Sequence, residues 1–162
     1  MPEKQTVERA RRARHEGKRP TTQAGEFVRE EIHHVRAGKH GARSAKQAIA
    51  IGLSKARRAG VKLGRPPASA KSETRKSAAY AARAARHGRK RSPTRSRAIS
   101  RALRRESRGA ASRTALAGQA RQAAHQRGPA ARKAAARKAV RTKGPAVRKV
   151  AARKAAATRK AA

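Results

Sequence analysis

The sequence predicts an all-α protein, in which a small helical hairpin is followed by alanine- and arginine-rich segments that are helix-prone but largely disordered. Three observations lead to this fold class. No segment alternates apolar and polar residues as a strand would, and apolar residues recur at helical spacing between residues 20 and 63. The 162 residues include 46 Lys and Arg against 8 Glu, a net charge of +38, and the hydrophobic fraction of 36% is mostly alanine. Low hydrophobicity combined with high net charge is typical of disorder.

Residues 1–19 are predicted to form a basic N-terminal arm with a short helix. Thr6 is the predicted N-cap of this helix, and Gly17 is the predicted stop. Val7 and Ala10 begin a thin apolar edge. Since isolated helices shorter than about 12–15 residues rarely persist in water, we expect this helix to be marginal alone.

The hairpin is predicted for residues 20–63. Its first helix opens at Pro20, where proline suits the start of a helix, and it ends at Gly38. Acidic residues lie toward its start and His33, His34 and Arg36 toward its end, as the helix dipole favours. Its apolar residues follow helical spacing: Ala24, Phe27, Val28, Ile32 and Val35.

The second hairpin helix is predicted between Ser44 and Gly60. Ser44 and Gln47 have the spacing of a capping box. Gly60 suits the left-handed residue that ends a helix, and Val61 is placed to close back on Ala56. One apolar stripe follows the helix at about 100° per residue: Ala45, Ala48, Ile49, Gly52, Leu53, Ala56 and Ala59.

The two helices are predicted to pack as an αα-hairpin, because only about six residues join them. Its core would bring the apolar residues of the first helix against Ile49, Leu53, Val61 and Leu63. This core is small for a stable fold without a partner. The sequence leaves three outcomes open: a marginal monomer, a homo-dimer through the hairpin, or folding on binding.

Residues 64–128 are predicted to be an alanine- and arginine-rich, helix-prone region behind a Gly-Arg-Pro-Pro linker. The first helical segment runs over residues 77–87. The second begins at Ser92, followed by a proline suited to the first helical position, and ends near Gly109. The third begins after Ser112 and ends at Gly128-Pro129. Alanine and arginine are strong helix formers, but methyl groups alone pack weakly.

Residues 129–162 form a low-complexity tail in which Arg-Lys pairs are separated mainly by alanine. Pro129 and Pro145 are predicted to interrupt any continuous helix. The spacing of the pairs rotates them around a helix, so no single basic stripe forms. We expect a disordered polycation that gains helix on a polyanion.

Residues for catalysis are scarce: there is no Asp, no Cys and no Gly-rich phosphate loop after a strand. Glu30 and Glu31 are neighbours, which predicts that their carboxylates diverge on a helix. His33, His34 and His40 suggest metal binding, but two of them are adjacent and no carboxylate is evidently placed to complete a site. The sequence therefore predicts neither an enzyme nor a metal or other cofactor.

Nucleic acid is the expected partner. A net charge of +38 far exceeds the magnitude of about 2–8 that keeps a small domain soluble. Phe27 and Tyr80 are the only aromatics besides histidine, which argues against base-stacking modules for single strands. The leading interpretation is a sequence-nonspecific, histone-like, nucleoid-associated protein that neutralises the phosphates of duplex DNA. Two alternatives stay open: an RNA- or ribosome-associated basic protein, and an adaptor whose hairpin binds a protein.

The expected location is cytoplasmic, at the nucleoid. No apolar run approaches the roughly 18 residues of a membrane span, so no membrane partner is expected. Cationic side chains of the predicted helices and the tail are the expected phosphate contacts. They are Lys46, Lys55, Arg57, Arg58, Lys62, Arg89, Lys90, Arg91, Arg95, Arg132, Lys133, Arg137, Lys138, Arg148, Lys149, Arg153, Lys154, Arg159 and Lys160.

Two regions of the sequence resemble known proteins. Residues 130–162 are similar in composition to the tails of eukaryotic linker histones and bacterial histone-like proteins. Residues 20–65 resemble a family of small basic bacterial proteins of unknown function, through Gly25-Glu26-Phe27-Val28 and the motif Lys-Gln-Ala-Ile-Ala-Ile-Gly-Leu-Ser-Lys-Ala-Arg-Arg-Ala-Gly at 46–60. A looser likeness continues into the middle segments. The second resemblance implies a bacterial origin and brings no activity with it.

Overall fold

The computed structural model describes residues 2–68, 70–87 and 92–160. These residues form seven α-helices and one 3₁₀ helix and contain no strand, which confirms the all-α class. None of these helices is both long and apolar enough to span a lipid bilayer. The chain divides into two compact units, Met1–Ala117 and Gly118–Ala162, which are described separately.

The helices follow the chain with short connections. Their bounds are α1 Lys4–His15, α2 Pro20–Arg36, α3 Ala45–Arg58, α4 Ser72–Arg86, α5 Pro93–Arg104, a 3₁₀ helix Arg108–Ala111, α6 Arg113–Gln126 and α7 Gly128–Lys160.

Helix α1 packs against α2 and is not a free arm. Its start corrects the sequence prediction, because the N-cap is Glu3 and Thr6 is a fully buried residue inside the helix. Ala10 packs in one cluster with the fully buried Phe27, which gives the thin apolar edge of α1 a partner. Gly17, with φ of 66°, lies just past the end of α1, as predicted.

Helices α2 and α3 form the predicted hairpin. Around Phe27 are packed Ala24 and Ala56, with Leu53, Val61 and Leu63 partly buried against them, as predicted. A second cluster contains Val35, Ala42 and Ala48, with Ile32 packed against it. Among the described residues, the core therefore consists of two small clusters.

The N-terminus of α3 is capped by its own sequence. The Gln47 backbone N–H donates to Ser44 Oγ at 3.2 Å, which confirms the predicted cap. The Gln47 side chain differs from a capping box, because its Oε1 accepts from the Arg43 backbone N–H at 2.7 Å, one residue before Ser44.

The predicted C-terminus of α3 is also confirmed. Gly60 adopts φ of 88°, and the Val61 N–H donates to the Ala56 carbonyl at 3.1 Å. Along the predicted stripe, Gly52 and Ala56 are buried whereas Ala59 is exposed. Local backbone chemistry therefore sets both ends of this helix.

The first unit extends beyond the predicted hairpin of residues 20–63. The Gly41 N–H, in the loop between α2 and α3, donates to the Leu103 carbonyl at 2.8 Å. Arg36 Nε donates to the Ala111 carbonyl at 2.9 Å. Ala111 is fully buried in the second core cluster, so this later segment supplies apolar contacts that the hairpin lacks.

The middle helices begin close to where the sequence places them. Helix α4 starts at Ser72, five residues before the predicted Ser77. Ser92 caps α5 through a hydrogen bond of 3.4 Å from the third residue after it, and Pro93 is the first helical residue. Ser112 caps α6 in the same way, because its Oγ accepts a hydrogen bond of 3.1 Å from the Ala115 backbone N–H.

The predicted disorder of the tail is wrong, since α7 is helical from residue 128 to 160. Alanine, arginine and lysine have high intrinsic helix propensities, and here they outweigh the repulsion between like charges. The helix is interrupted at Gly144, with φ of 63° and ψ of 168°, directly before Pro145. Pro129, in contrast, lies in the first turn, where proline is tolerated.

Candidate nucleic-acid interface and a buried charged cluster

Helix α7 presents cations on its exposed surface. Between residues 128 and 160 the sequence has twelve Lys and Arg and no acidic residue. Apart from Gly144, every described residue from 129 to 159 is exposed. The predicted contacts that lie exposed here are Arg132, Lys133, Arg137, Lys138, Arg148, Lys149, Arg153, Lys154 and Arg159. The side chain of Lys160 lies outside the described part of the chain.

The cations of α7 are distributed around the helix. Lys133, Arg137 and Arg141 are spaced four residues apart, so consecutive members are neighbours on one face. Each such like-charge pair opposes helix formation by roughly 0.2–0.5 kcal/mol. Negative charge placed along α7 would relieve this repulsion, which suits the helix surface to a polyanion.

The predicted contacts of the first unit are partly available to a partner. Lys46 on α3, Lys62 after it and Arg95 on α5 are exposed, as a phosphate contact requires. Three further predicted contacts lie outside the described residues: Arg89, Lys90 and Arg91.

Arg57 and Arg58 are less available than predicted, because both are half-buried. Arg57 Nη2 donates to the Gly64 carbonyl at 3.4 Å, and burial lowers the pKa of Arg57 below its usual value. The Arg58 guanidinium carbon lies 5.8 Å from the centroid of the Tyr80 ring, a cation–π geometry. Both cations therefore already have partners within the unit.

Lys55, a predicted phosphate contact, is instead engaged inside the protein. Its side chain is 13% exposed, and its Nζ lies 2.7 Å from Glu31 Oε2 and 3.0 Å from Glu30 Oε1. The two neighbouring carboxylates do not diverge as predicted, since the long Lys55 side chain reaches from α3 to both of them. Lys55 is therefore an internal counter-ion and not a free phosphate contact.

The ionisation of this pair follows from its contacts. Burial lowers the pKa of Lys55, but its close contacts with the Glu31 and Glu30 carboxylates outweigh burial and leave the pKa above its usual value. Burial raises the pKa of Glu30, but the Lys55 hydrogen bond and others leave it below its usual value. The lysine and Glu30 are therefore both charged at neutral pH.

Glu3 extends the charged cluster of Glu30, Glu31 and Lys55 to the start of α1. Its Oε1 lies 2.8 Å from His34 Nε2 and 3.0 Å from Lys39 Nζ. The hydrogen bonds from His34 and Lys39 lower the pKa of Glu3 to about 2. The Glu3 backbone N–H also donates to Glu30 Oε2 at 3.1 Å. Glu3 therefore connects the start of α1 to α2 through both its side chain and its backbone.

Glu31, His34 and His40 converge at the inner side of this cluster. One potential ligand atom from each residue lies within 4.8 Å of the other two. His40 Nε2 is 3.2 Å from Glu31 Oε1, and the two imidazole rings meet edge to face with centroids 6.1 Å apart. Glu31 is therefore a carboxylate placed to complete a site with the histidines, contrary to the sequence prediction. The i, i+3 spacing of Glu31 and His34, which places both on one helix face, is the signal in the sequence that could have shown it.

The three residues line a groove of about 800 Å³ within the first unit. Tyr80 from α4 and Ile99 from α5 line the same groove, and they are 43% and 54% exposed. The groove gives solvent and small solutes access to Glu31, His34 and His40.

Comparison with known proteins gives one match. Residues 4–67 match the model of a family of unknown function, DUF6496. The matched residues include α1, α2, α3 and the charged residues Glu30, Glu31 and Lys55 between them, and the match ends before α7. No curated protein and no solved structure matches the chain.

Proposed function

We propose that the protein binds duplex DNA with little sequence preference, mainly by placing α7 against the phosphates. The observation that carries this proposal is the exposure of the α7 cations around the helix, with no acidic residue among them. A protein that neutralises phosphates releases condensed counter-ions, and this release drives binding without reading bases.

The shape of α7 favours duplex DNA over duplex RNA. An α-helix with its side chains is about 10–12 Å wide, close to the width of the B-DNA major groove of about 12 Å. Phosphates line both walls of that groove, so a helix with cations on several faces would contact both. The major groove of A-form RNA is deep and narrow and does not admit side chains in this way.

The acidic residues of the first unit support the same proposal indirectly. Glu3, Glu30 and Glu31 are paired with cations of their own unit, and Glu26 pairs with Arg9 at 3.0 Å. These four carboxylates are therefore already engaged within their own unit. In a bacterial cell, such a protein would collect on the nucleoid as a histone-like component.

A salt titration of the full-length protein on two duplexes of unrelated sequence tests the proposal. With about ten phosphate contacts, a fourfold rise in salt should lower affinity by on the order of 10⁵, equally for both duplexes. Equal affinities with a shallow salt dependence would reject it. Stronger binding to structured RNA of matched length would favour an RNA-associated function instead.

Charge-removing variants locate the contact. Replacing Arg132, Lys133, Arg137 and Lys138 together by Gln keeps helix propensity and should reduce the slope of log K against log salt by about 3–4. The matched control exchanges Arg for Lys and Lys for Arg at the same four positions, and its slope should not change. An unchanged slope in the Gln variant would move the interface away from α7.

A further inference from the structure

We propose that Glu31, His34 and His40 bind a divalent transition-metal ion, with Zn²⁺ the ion that suits them best. The three residues offer one carboxylate and two imidazoles within 4.8 Å of one another, on α2 and the loop after it. Nitrogen and oxygen ligands of this kind are typical of zinc sites with three protein ligands and an open fourth position. This proposal does not depend on nucleic-acid binding.

The hydrogen bonds of His40 provide the first argument. His40 Nδ1 lies 3.0 Å from the Gly41 carbonyl, which only accepts, so Nδ1 is the nitrogen that carries hydrogen. In the neutral ring, Nε2 then has a lone pair, and that atom lies 3.2 Å from Glu31 Oε1, a second acceptor. Two lone pairs facing each other need a cation between them, either a proton or a metal ion.

Glu31 lacks a hydrogen-bond donor on the side of His40. Its side chain is 1% exposed, and neither oxygen accepts a hydrogen bond of good geometry, although Lys55 Nζ lies 2.7 Å from Oε2. Oε1 therefore remains to be satisfied on the side of His40. A metal ion bound there would leave Oε2 with Lys55.

His34 is oriented in the way that metal-binding histidines usually are. Its Nε2 lies 2.8 Å from Glu3 Oε1, so Nε2–H donates to the carboxylate. Because Nε2 is engaged with Glu3, Nδ1 is the nitrogen that would bind the metal ion. A carboxylate behind a ligating imidazole fixes its tautomer and raises its basicity.

One of the three ligand separations already fits zinc. Zn–N and Zn–O bonds of about 2.0–2.2 Å place tetrahedral ligand atoms about 3.4 Å apart. The separation of 3.2 Å between His40 Nε2 and Glu31 Oε1 already matches this value. All three residues line the groove of the first unit, which provides an entry path and room for a water at the fourth position.

Titration of Zn²⁺ into tag-free, nucleic-acid-free, full-length protein tests the proposal, with Co²⁺ absorption as a readout of tetrahedral geometry. We expect saturable binding of one ion per chain that a large excess of Mg²⁺ does not displace, because Mg²⁺ prefers octahedral oxygen ligands. His34→Asn and His40→Asn, tested separately, should each weaken binding more than tenfold, since loss of outer-shell partners alone costs about 10–100-fold.

His33→Asn is the matched control, because His33 is an exposed neighbour of His34 on the same helix. It should bind Zn²⁺ as the unsubstituted protein does. Far-UV circular dichroism of each variant reports whether the fold is kept. Absence of one-to-one binding in the unsubstituted protein, or an equal loss in His33→Asn and His40→Asn, would overturn the proposal.

Discussion

Gly52 of α3 lies directly against the backbone of Val28 in α2. A Cβ atom at Gly52 would be 2.7 Å from Val28 Cα and 3.0 Å from the Phe27 carbonyl oxygen. Because backbone atoms cannot move aside as the end of a flexible side chain can, the two helices approach this closely only with glycine at this position.

Gly52→Ala should therefore destabilise the first unit, by about 1–3 kcal/mol, as overpacked cores usually do. Alanine is the better helix former by about 1 kcal/mol, so the clash must outweigh a local gain. Gly25→Ala is the matched control, since a Cβ there meets no atom within 4 Å, and it should stabilise α2. Urea denaturation followed by circular dichroism measures both. Equal effects of the two substitutions would contradict the close approach.

Lys55→Met should destabilise the first unit by about 3–5 kcal/mol, because it leaves two buried carboxylates without their shared counter-ion. Lys46→Met, at an exposed position of the same helix, should change the free energy of unfolding by less than about 0.5 kcal/mol. Urea denaturation at pH 7 gives both values. A small effect at Lys55 would mean that Glu30 and Glu31 find other partners.

Acid should loosen the attachment of α1. The folded pKa of Glu3 is about 2, against a reference value of 4.5, and that of Glu30 is also lowered. A carboxyl group whose pKa is lower in the folded than in the unfolded protein stabilises the fold at pH values above its unfolded pKa. This stabilisation is lost as the pH falls through the folded pKa. The protection factors of the α1 amides in hydrogen exchange, which correct for the intrinsic pH dependence of exchange, should therefore fall between about pH 4.5 and 2. In Glu3→Gln this fall should be smaller, and the protection factors should be lower already at pH 6.

The interruption of α7 should depend on Gly144 and Pro145 together. Gly144→Ala alone forces alanine into a positive-φ, extended conformation that is essentially restricted to glycine, and it should destabilise the local backbone by about 1–3 kcal/mol. Replacing both residues by alanine removes the proline and allows one continuous helix. The double variant should show a stronger helical circular dichroism signal at 222 nm than the unsubstituted protein, and the single variant a weaker one. If the double variant showed no stronger signal at 222 nm, the interruption of α7 would have another cause.

Much of the fold could be predicted because it depends on neighbours in the sequence. Ser44, Ser92 and Ser112 cap their helices through residues three positions later. Gly60 ends α3 through the backbone of its own last turn. The tail was predicted incorrectly, because the high helix propensity of alanine, arginine and lysine outweighs the charge repulsion on which the prediction of disorder was based.

By itself, the sequence determined the all-helical class, most helix ends and the cationic character of α7, since these depend on residues within about four positions and on net charge. Only the tertiary structure decided that Lys55 pairs with Glu30 and Glu31, and that His40 lies beside Glu31. The partners of Lys55 are 24 and 25 residues away along the chain. Their meeting depends on how α2 and α3 cross, and packing around Phe27 and Gly52 sets that crossing.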